Sequence, residues 1–423
     1  MPRLLAVSLA LLTSTALAQQ GTAPDEVDSL FRDAITGKIG DASLEHTELT
    51  LTAFLNESPD NDDARLALGV TRFLRAGETA IQTLHIHGGF NLPLQASMVT
   101  GMGDQGLSPL LNFDPQPIDY PLFRAHIQTF IDNIAEAEAT LAEIDDPHVK
   151  LRLPIGLVHF DMNNSGTRAP DEQLWRVFTN IQQRFRPTQA GADNYAIALD
   201  RGDVAWLRGY CHLVMAVGEF FLAHDSRDLF ERAGHVFFAQ NESPHEQLKG
   251  FRKVFQAPGG PDVADLIAVV HLLNFDVAEP ARAETARQHL LQTLALGHEM
   301  WSHYDAETDD DMEWIPNPRQ TSTALPNVSF DEDQRAVWLR ALTEGTDLLE
   351  GRRVARFWRG NNERGVNIKR VFTEPRHFDL ILWIQGSAAT PYLEEGDFTS
   401  DQLWHDLQTA FDQGAFRYMF WLN

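Results

Sequence analysis

The chain has 423 residues, 43% of them apolar and 10% aromatic, enough to fill the core of one large or two ordinary domains and to exclude disorder as its default state. Its 60 acidic residues against 34 basic ones leave a formal net charge of −26, which repels phosphate backbones and anionic headgroups and excludes nucleic-acid binding as the main role. A single cysteine, Cys211, excludes an intramolecular disulfide, so stability has to come from packing, with a bound metal as the remaining aid.

The N-terminus, "MPRLLAVSLALLTSTALAQQ", has Arg3, an apolar run from Leu4 to Leu12 and small residues ending in Ala16, Leu17 and Ala18. This is the pattern of a secretory signal peptide over 1–18, cleaved before Gln19. A membrane anchor would need roughly 20 apolar residues, and the run is shorter. The expectation is an exported protein, periplasmic or extracellular, with no membrane insertion.

Segments 26–36 and 43–57 place apolar residues three and four apart, the period of a helix. The following piece opens with Pro59 and a cap-forming run of Asp and Asn, then carries Leu66, Leu68, Gly69, Phe73 and Leu74. Over about residues 43–84 the chain resembles a tetratricopeptide-type helical hairpin, in which a proline ends one unit and a Leu-Gly pair lets two helices approach. No clean 34-residue recurrence follows, so a repeat array is not predicted.

Residues 90–119 read as a long connector rich in Gly and Pro. It contains "GMGDQG", formally G-x-G-x-x-G at Gly101, Gly103 and Gly106, but a dinucleotide site needs a preceding strand and a following helix, and Pro109 opposes that context. Segment 120–145 is a helix with Phe123, Ile127, Phe130, Ile131, Ile134 and Leu141 on one face.

Next comes "DMNNSGTRAPDE", residues 161–172. Calcium takes six to eight oxygen ligands, and a twelve-residue loop supplies them by folding back on itself. Asp161, Asn163 and Ser165 would give side-chain oxygens, Gly166 the sharp turn, Thr167 its backbone carbonyl, Ala169 a water-mediated contact, and Glu172 a bidentate carboxylate. The stretch looks like an EF-hand calcium loop. It departs from that pattern at Arg168 and Pro170, and Pro154 and Gly156 stand where the entering helix belongs. Two charged ligands predict a weak, structural site, on the order of 10⁻⁴ to 10⁻³ M. The alternative is an Asx-type turn in which the same side chains satisfy backbone groups.

The stretch 187–192 is the expected boundary between a helical N-terminal half, 19–190, and a helical C-terminal half, 191–423, with one domain as the alternative. Helices are predicted over 203–225, from 262 through "DVADLIAVVHLLNFDV", from 282, and near 331, 376 and 400. Several lesser candidates accompany them. His85 and His87 have a chelating spacing but sit at a helix end. His298, Glu299 and His303 have the wrong spacing for a zinc-protease helix. Asp309, Asp310, Asp311 and Glu313 could bind a second cation or form a solvated acidic loop. Trp314 beside two prolines could be a recognition surface or a loop pinned to the core.

The fold class that follows is mostly α, with orthogonally packed helices, partly repeat-like, and an EF-hand-like loop. The functional expectation is an exported calcium-binding helical binding or scaffold protein with an unidentified protein or small-molecule partner. Its competitor is a secreted hydrolase whose acid and base are carboxylates from distant helices. A deep cleft with a carboxylic acid of raised pKa would favour the hydrolase, and a shallow face with exposed aromatics the binder.

Overall fold

The structure is a computed structural model that describes residues 23–36, 43–89, 110–167, 169, 172–173, 196–238, 240–249, 262–324, 329–359, 363–411 and 422. The expected signal peptide, the "GMGDQG" stretch and the 187–192 boundary lie outside the described residues. Helices dominate: α1 (Ala23–Ile35), α2 (Leu44–Glu57), α3 (Asp62–Ile86), α4 (Tyr120–Ala142), α5 (Arg201–Leu222), α6 (Arg227–Ala233), α7 (Val263–His271), α8 (Pro280–Ala306), α9 (Glu332–Glu350), α10 (Ile368–Thr373), α11 (Leu380–Gln385) and α12 (Asp401–Ala410). Among the described residues no helix is long and apolar enough to cross a membrane.

Caps start the helices where the sequence offers short polar side chains. Ser43 accepts the His46 N–H, Asn61 the Ala64 N–H and Asp119 the Leu122 N–H. Asp200 with Asp203, and Asp331 with Gln334, form reciprocal capping boxes on α5 and α9. The helices then pack in a series, α2 on α3, α3 on α4, α4 on α5, α5 on α8, α8 on α9 and α9 on α12. Helices on both sides of position 190 are therefore in direct contact. At Gly69 a Cβ would meet Leu141 Cδ2 at 2.5 Å, so this glycine admits α4 against α3.

One core gathers Val27, Phe31, Leu51, Leu66, Leu151 and Ile197, and a second gathers Met300, Trp301, Tyr304, Trp338 and Leu407. Trp206 and Trp314 pack against both, with ring centroids 5.4 Å apart. Trp314 is thus the pinned loop residue of the two readings offered by the sequence.

Short strands tie the helices together. β1 (Leu151–Leu153) pairs antiparallel with β2 (Ile197–Leu199), Leu151 opposite Leu199. β3 (His224–Asp225), β4 (Asn274–Val277) and β7 (Phe378–Asp379) form a second sheet; β5 (Ala355–Arg356), β6 (Gly365–Val366) and β8 (Leu393–Glu394) form a third. Two expected helices are corrected here. The segment from 262 stops at Leu272 and continues as β4, because Phe275 stacks on Phe378 across the ladder at 5.9 Å. The segment near 376 begins as β7 and is α-helical only over α11, which Gly386 ends at φ +105° before a 3₁₀ helix over Ser387–Tyr392.

Candidate functional sites

The residues of the predicted calcium loop are held together, chiefly by backbone N–H groups. Asp161 Oδ1 accepts the Ser165 N–H at 2.9 Å and its Oδ2 the Gly166 N–H at 2.8 Å, while Asn163 Oδ1 also accepts the Ser165 N–H at 3.0 Å. The Ser165 hydroxyl donates to the Thr167 carbonyl at 3.0 Å. Asn164 and Gly166 take left-handed conformations, φ +54° and +73°, that bend the chain around the Asp161 carboxylate. Glu172, fully buried, closes the loop: Oε1 accepts the Met162 N–H at 3.0 Å and Oε2 the Ala169 N–H at 2.7 Å. Burial raises its carboxyl above the ordinary range.

The loop is fixed to α3, since Glu78 accepts the Asp161 N–H and Gln82 donates to the Asp161 carbonyl. No helix enters it. The chain arrives instead through β1 and a 3₁₀ turn over Ile155–Leu157. Arg168, Pro170, Asp171 and the expected exit helix lie outside the described residues. Asp161, Asn163, Ser165, Thr167 and Glu172 are therefore near one another in an Asx-type arrangement, with second lone pairs left on the carboxylate oxygens.

A second group of carboxylates gathers where β2, the start of α5, the end of α8 and the segment 309–324 meet. Asp200 follows β2, and its Oδ1 accepts the Gly202 N–H at 2.7 Å. Asp203, in the first turn of α5, accepts the Asp200 N–H on Oδ2 and the Tyr304 hydroxyl on Oδ1 at 2.6 Å. The Tyr304 ring fits because residue 202 is glycine; a Cβ there would lie 2.4 Å from it. Glu307, one residue beyond α8, accepts from Gln320 Nε2 at 2.9 Å. Glu313 is 2% exposed and accepts the Asp311 N–H at 2.9 Å.

Carboxylate oxygens of Asp200, Glu307 and Glu313 lie within 4.8 Å of one another. Two oxygens bound to one ion at about 2.4 Å can be no farther apart than about 4.8 Å, so the three could share a cation. Crowding of like charge in a dry place acts on their protons. Burial, and next the hydrogen bond and charge of Asp200, push Glu307 up to about 10. Burial, with the charges of Asp200, Asp311 and Asp309, raises Glu313 to about 7. Burial and the Asp200 charge hold Asp203 well above the carboxylate range. Lys150 is drawn to Asp309 and Asp311, and Arg201 pairs with Glu299 at 3.1 Å. Of the acidic run read from the sequence, only Glu313 joins this group; Asp310 is taken up by Thr321 and Ser322.

The third unusual region is apolar and exposed. α7, "VADLIAVVH", has no buried residue, and Ile267 is 64% exposed. α11 leaves Ile384 66% exposed together with Ile381 and Leu382, and the Trp358 indole, itself exposed, donates to the Ile384 carbonyl at 3.2 Å. Asn274 opposite Asp379, and the Leu380 N–H donating to the Leu273 carbonyl at 2.9 Å, place the end of α7 and the start of α11 at the same end of the β4–β7 ladder. Scattered exposed apolar residues are ordinary; two neighbouring helices of them are not. The sequence did hold a signal for this: "DLIAVVHLL" is apolar nearly all round, more than one buried face of a surface helix requires.

Other sequence candidates disperse. His298 contacts Thr343, whereas His303 faces Glu299 at 3.7 Å. Cys211 is fully buried, and burial pushes its thiol far up, which suits a small core residue. Comparison of the chain with family models, curated proteins and solved structures finds no match.

Proposed function

We propose that this is an exported helical binding protein that engages the apolar surface of a protein partner through α7, α11 and Trp358, with calcium as a structural ion. The observation that carries the reading is the exposure of Val263, Leu266, Ile267 and Val270 on α7, at the same end of the β4–β7 ladder as the exposed Ile381, Leu382 and Ile384 of α11. Burying an exposed Ile or Leu contributes about 1.5–3 kcal/mol, so such a face is a reservoir of association energy. A net charge of −26 disfavours anionic lipid as the occupant, and Asp265 on α7, with Asp276 and Asp379 on the adjoining strands, favours a partner with basic groups around its apolar centre.

Calcium has two candidate seats in this reading, the 161–172 loop and the Asp200, Glu307 and Glu313 group. The second joins segments distant in sequence, and the first gathers neighbours along the chain in a loop tied to α3 by Glu78 and Gln82; both suit an ion that stabilises a fold in a calcium-rich exterior. The hydrolase reading draws on the raised carboxyls of Glu307 and Glu313. Those groups are engaged with helix ends and backbone, and Glu313 is nearly closed to solvent, which favours an ion or a proton over a substrate.

The test uses the purified chain with vesicles and in sedimentation. Expected are no flotation with zwitterionic or anionic vesicles, a monomer at micromolar concentration, and binding of a hydrophobic dye that Ile267→Lys with Ile384→Lys abolishes. Flotation lost in that variant would replace the protein partner with a lipid surface, and a variant-sensitive dimer would replace it with a second copy.

A further inference from the structure

The "HIHGG" stretch acquires a different partner in three dimensions. His87, at the end of α3 and 4% exposed, turns away from a pairing with His85 and meets His126 of α4, Nε2 to Nε2 at 3.2 Å. Both rings line a cavity of about 190 Å³ between α3 and α4, whose other walls include Leu84, Phe123 and Phe130.

The protonation pattern follows from the neighbours. His87 Nδ1 lies 3.1 Å from the Gln116 carbonyl oxygen, which can only accept, so Nδ1 carries the proton and the Nε2 lone pair faces His126. A backbone carbonyl holding one ring nitrogen is the device that orients a metal-binding histidine. Two nitrogen ligands bound tetrahedrally at 2.0–2.1 Å stand about 3.3 Å apart, close to the observed separation. Burial, and next the neighbouring His87, lower His126, which favours the neutral ring that metal binding requires.

We infer that His87 and His126 form a binding site for a divalent first-row transition ion of the zinc type, with its remaining coordination positions open to the apolar cavity. On binding, the His126 ring keeps one proton by moving it from Nε2 to Nδ1, and the two Nε2 lone pairs take the ion. Imidazole suits zinc, copper or nickel and not calcium, so the site is chemically separate from both carboxylate seats.

The test is titration of the full chain with Co²⁺ in excess Ca²⁺, followed by visible absorption and by displacement with Zn²⁺. One equivalent of Co²⁺ with the intense band of four-coordinate cobalt is expected. Binding should weaken at least tenfold in His126→Gln and in His87→Gln, and be retained in His85→Gln and Glu313→Gln. Because His87 is the more buried and its variant could lose the fold, His126→Gln, confirmed folded by its melt, decides the matter. No uptake by the wild-type chain, or equal uptake by His126→Gln, would overturn the assignment; loss in Glu313→Gln instead would return the ion to the carboxylates.

Discussion

At the start of α5, carboxylates are withdrawn from water; on α7 and α11, isoleucines and leucines are left in it. Both arrangements cost stability, and in opposite ways. A buried charge without a partner costs several kcal/mol unless it is neutralised, and each apolar side chain left exposed forgoes about 1.5–3 kcal/mol of burial. The first can be relieved by something small taken inside, a proton or a cation. The second can be relieved only by something large laid on top. Places where a chain departs from the usual sorting of residues are where function is to be sought, and here the form of each departure indicates the size and chemistry of what resolves it.

The sharpest way to break the comparison is to remove the carboxylates. Glu307 and Glu313 are raised from an ordinary 4.5 to about 10 and about 7, so the folded state binds protons that the unfolded state has lost. Their contribution is fully present below about pH 4.5 and is lost as pH rises through about 7 for Glu313 and about 10 for Glu307, with a slope of up to about 1.4 kcal/mol per pH unit for each group. Without divalent ions, and with the full shifts discounted by roughly two thirds for solvent screening, Glu307→Gln with Glu313→Gln should be more stable than wild type at pH 9 by on the order of 3 kcal/mol. Millimolar calcium should narrow that gap by stabilising the wild type more than the variant, which keeps the 161–172 loop. Denaturant melts at pH 6 and 9, with calcium and with chelator, read this out; equal calcium responses in the two proteins would remove the ion from the cluster.

A smaller effect separates the loop from the cluster. Glu172→Ala strips the acceptors from the buried Met162 and Ala169 N–H groups and should cost about 2–4 kcal/mol with or without calcium. Glu172→Gln keeps one good acceptor and should cost about half as much. If the loss in Glu172→Gln appears only with calcium present, the loop holds the ion; if it is the same in chelator, the loop is a hydrogen-bonded turn.

That the residues from Asp161 to Thr167 gather in a tight turn was legible in sequence because they are neighbours along the chain, though the EF-hand form of the loop is not shown; the face of α4 was legible too, where Ile131, Ile134 and Leu141 are buried as the period required. The cluster was not. Glu313 stood in a visible acidic run, but Asp200 carries no local mark, and its approach to Glu307 is set by the β1–β2 ladder and by Tyr304 reaching Asp203. Likewise nothing in "HIHGG" points to His126, which packing of α4 on α3 supplies. The apolar face failed for another reason: periodicity says that a helix is apolar, not whether something covers it.

The smallest change in stability belongs to the apolar face. Ile267→Lys and Ile384→Lys replace side chains already in water and should shift stability by no more than about 0.5 kcal/mol. A larger loss in thermal melts would mean that α7 or α11 packs more deeply than its exposure indicates.

The most direct test of docking places a photo-crosslinking amino acid at 267, at 384 and, as an exposed control on α5, at 217, in the full chain expressed in its own cells. The account predicts the same protein adduct from 267 and 384, none from 217, and its loss at 384 when Ile267→Lys is added. Adducts of unrelated proteins at the three positions, or none at 267 and 384, would contradict it.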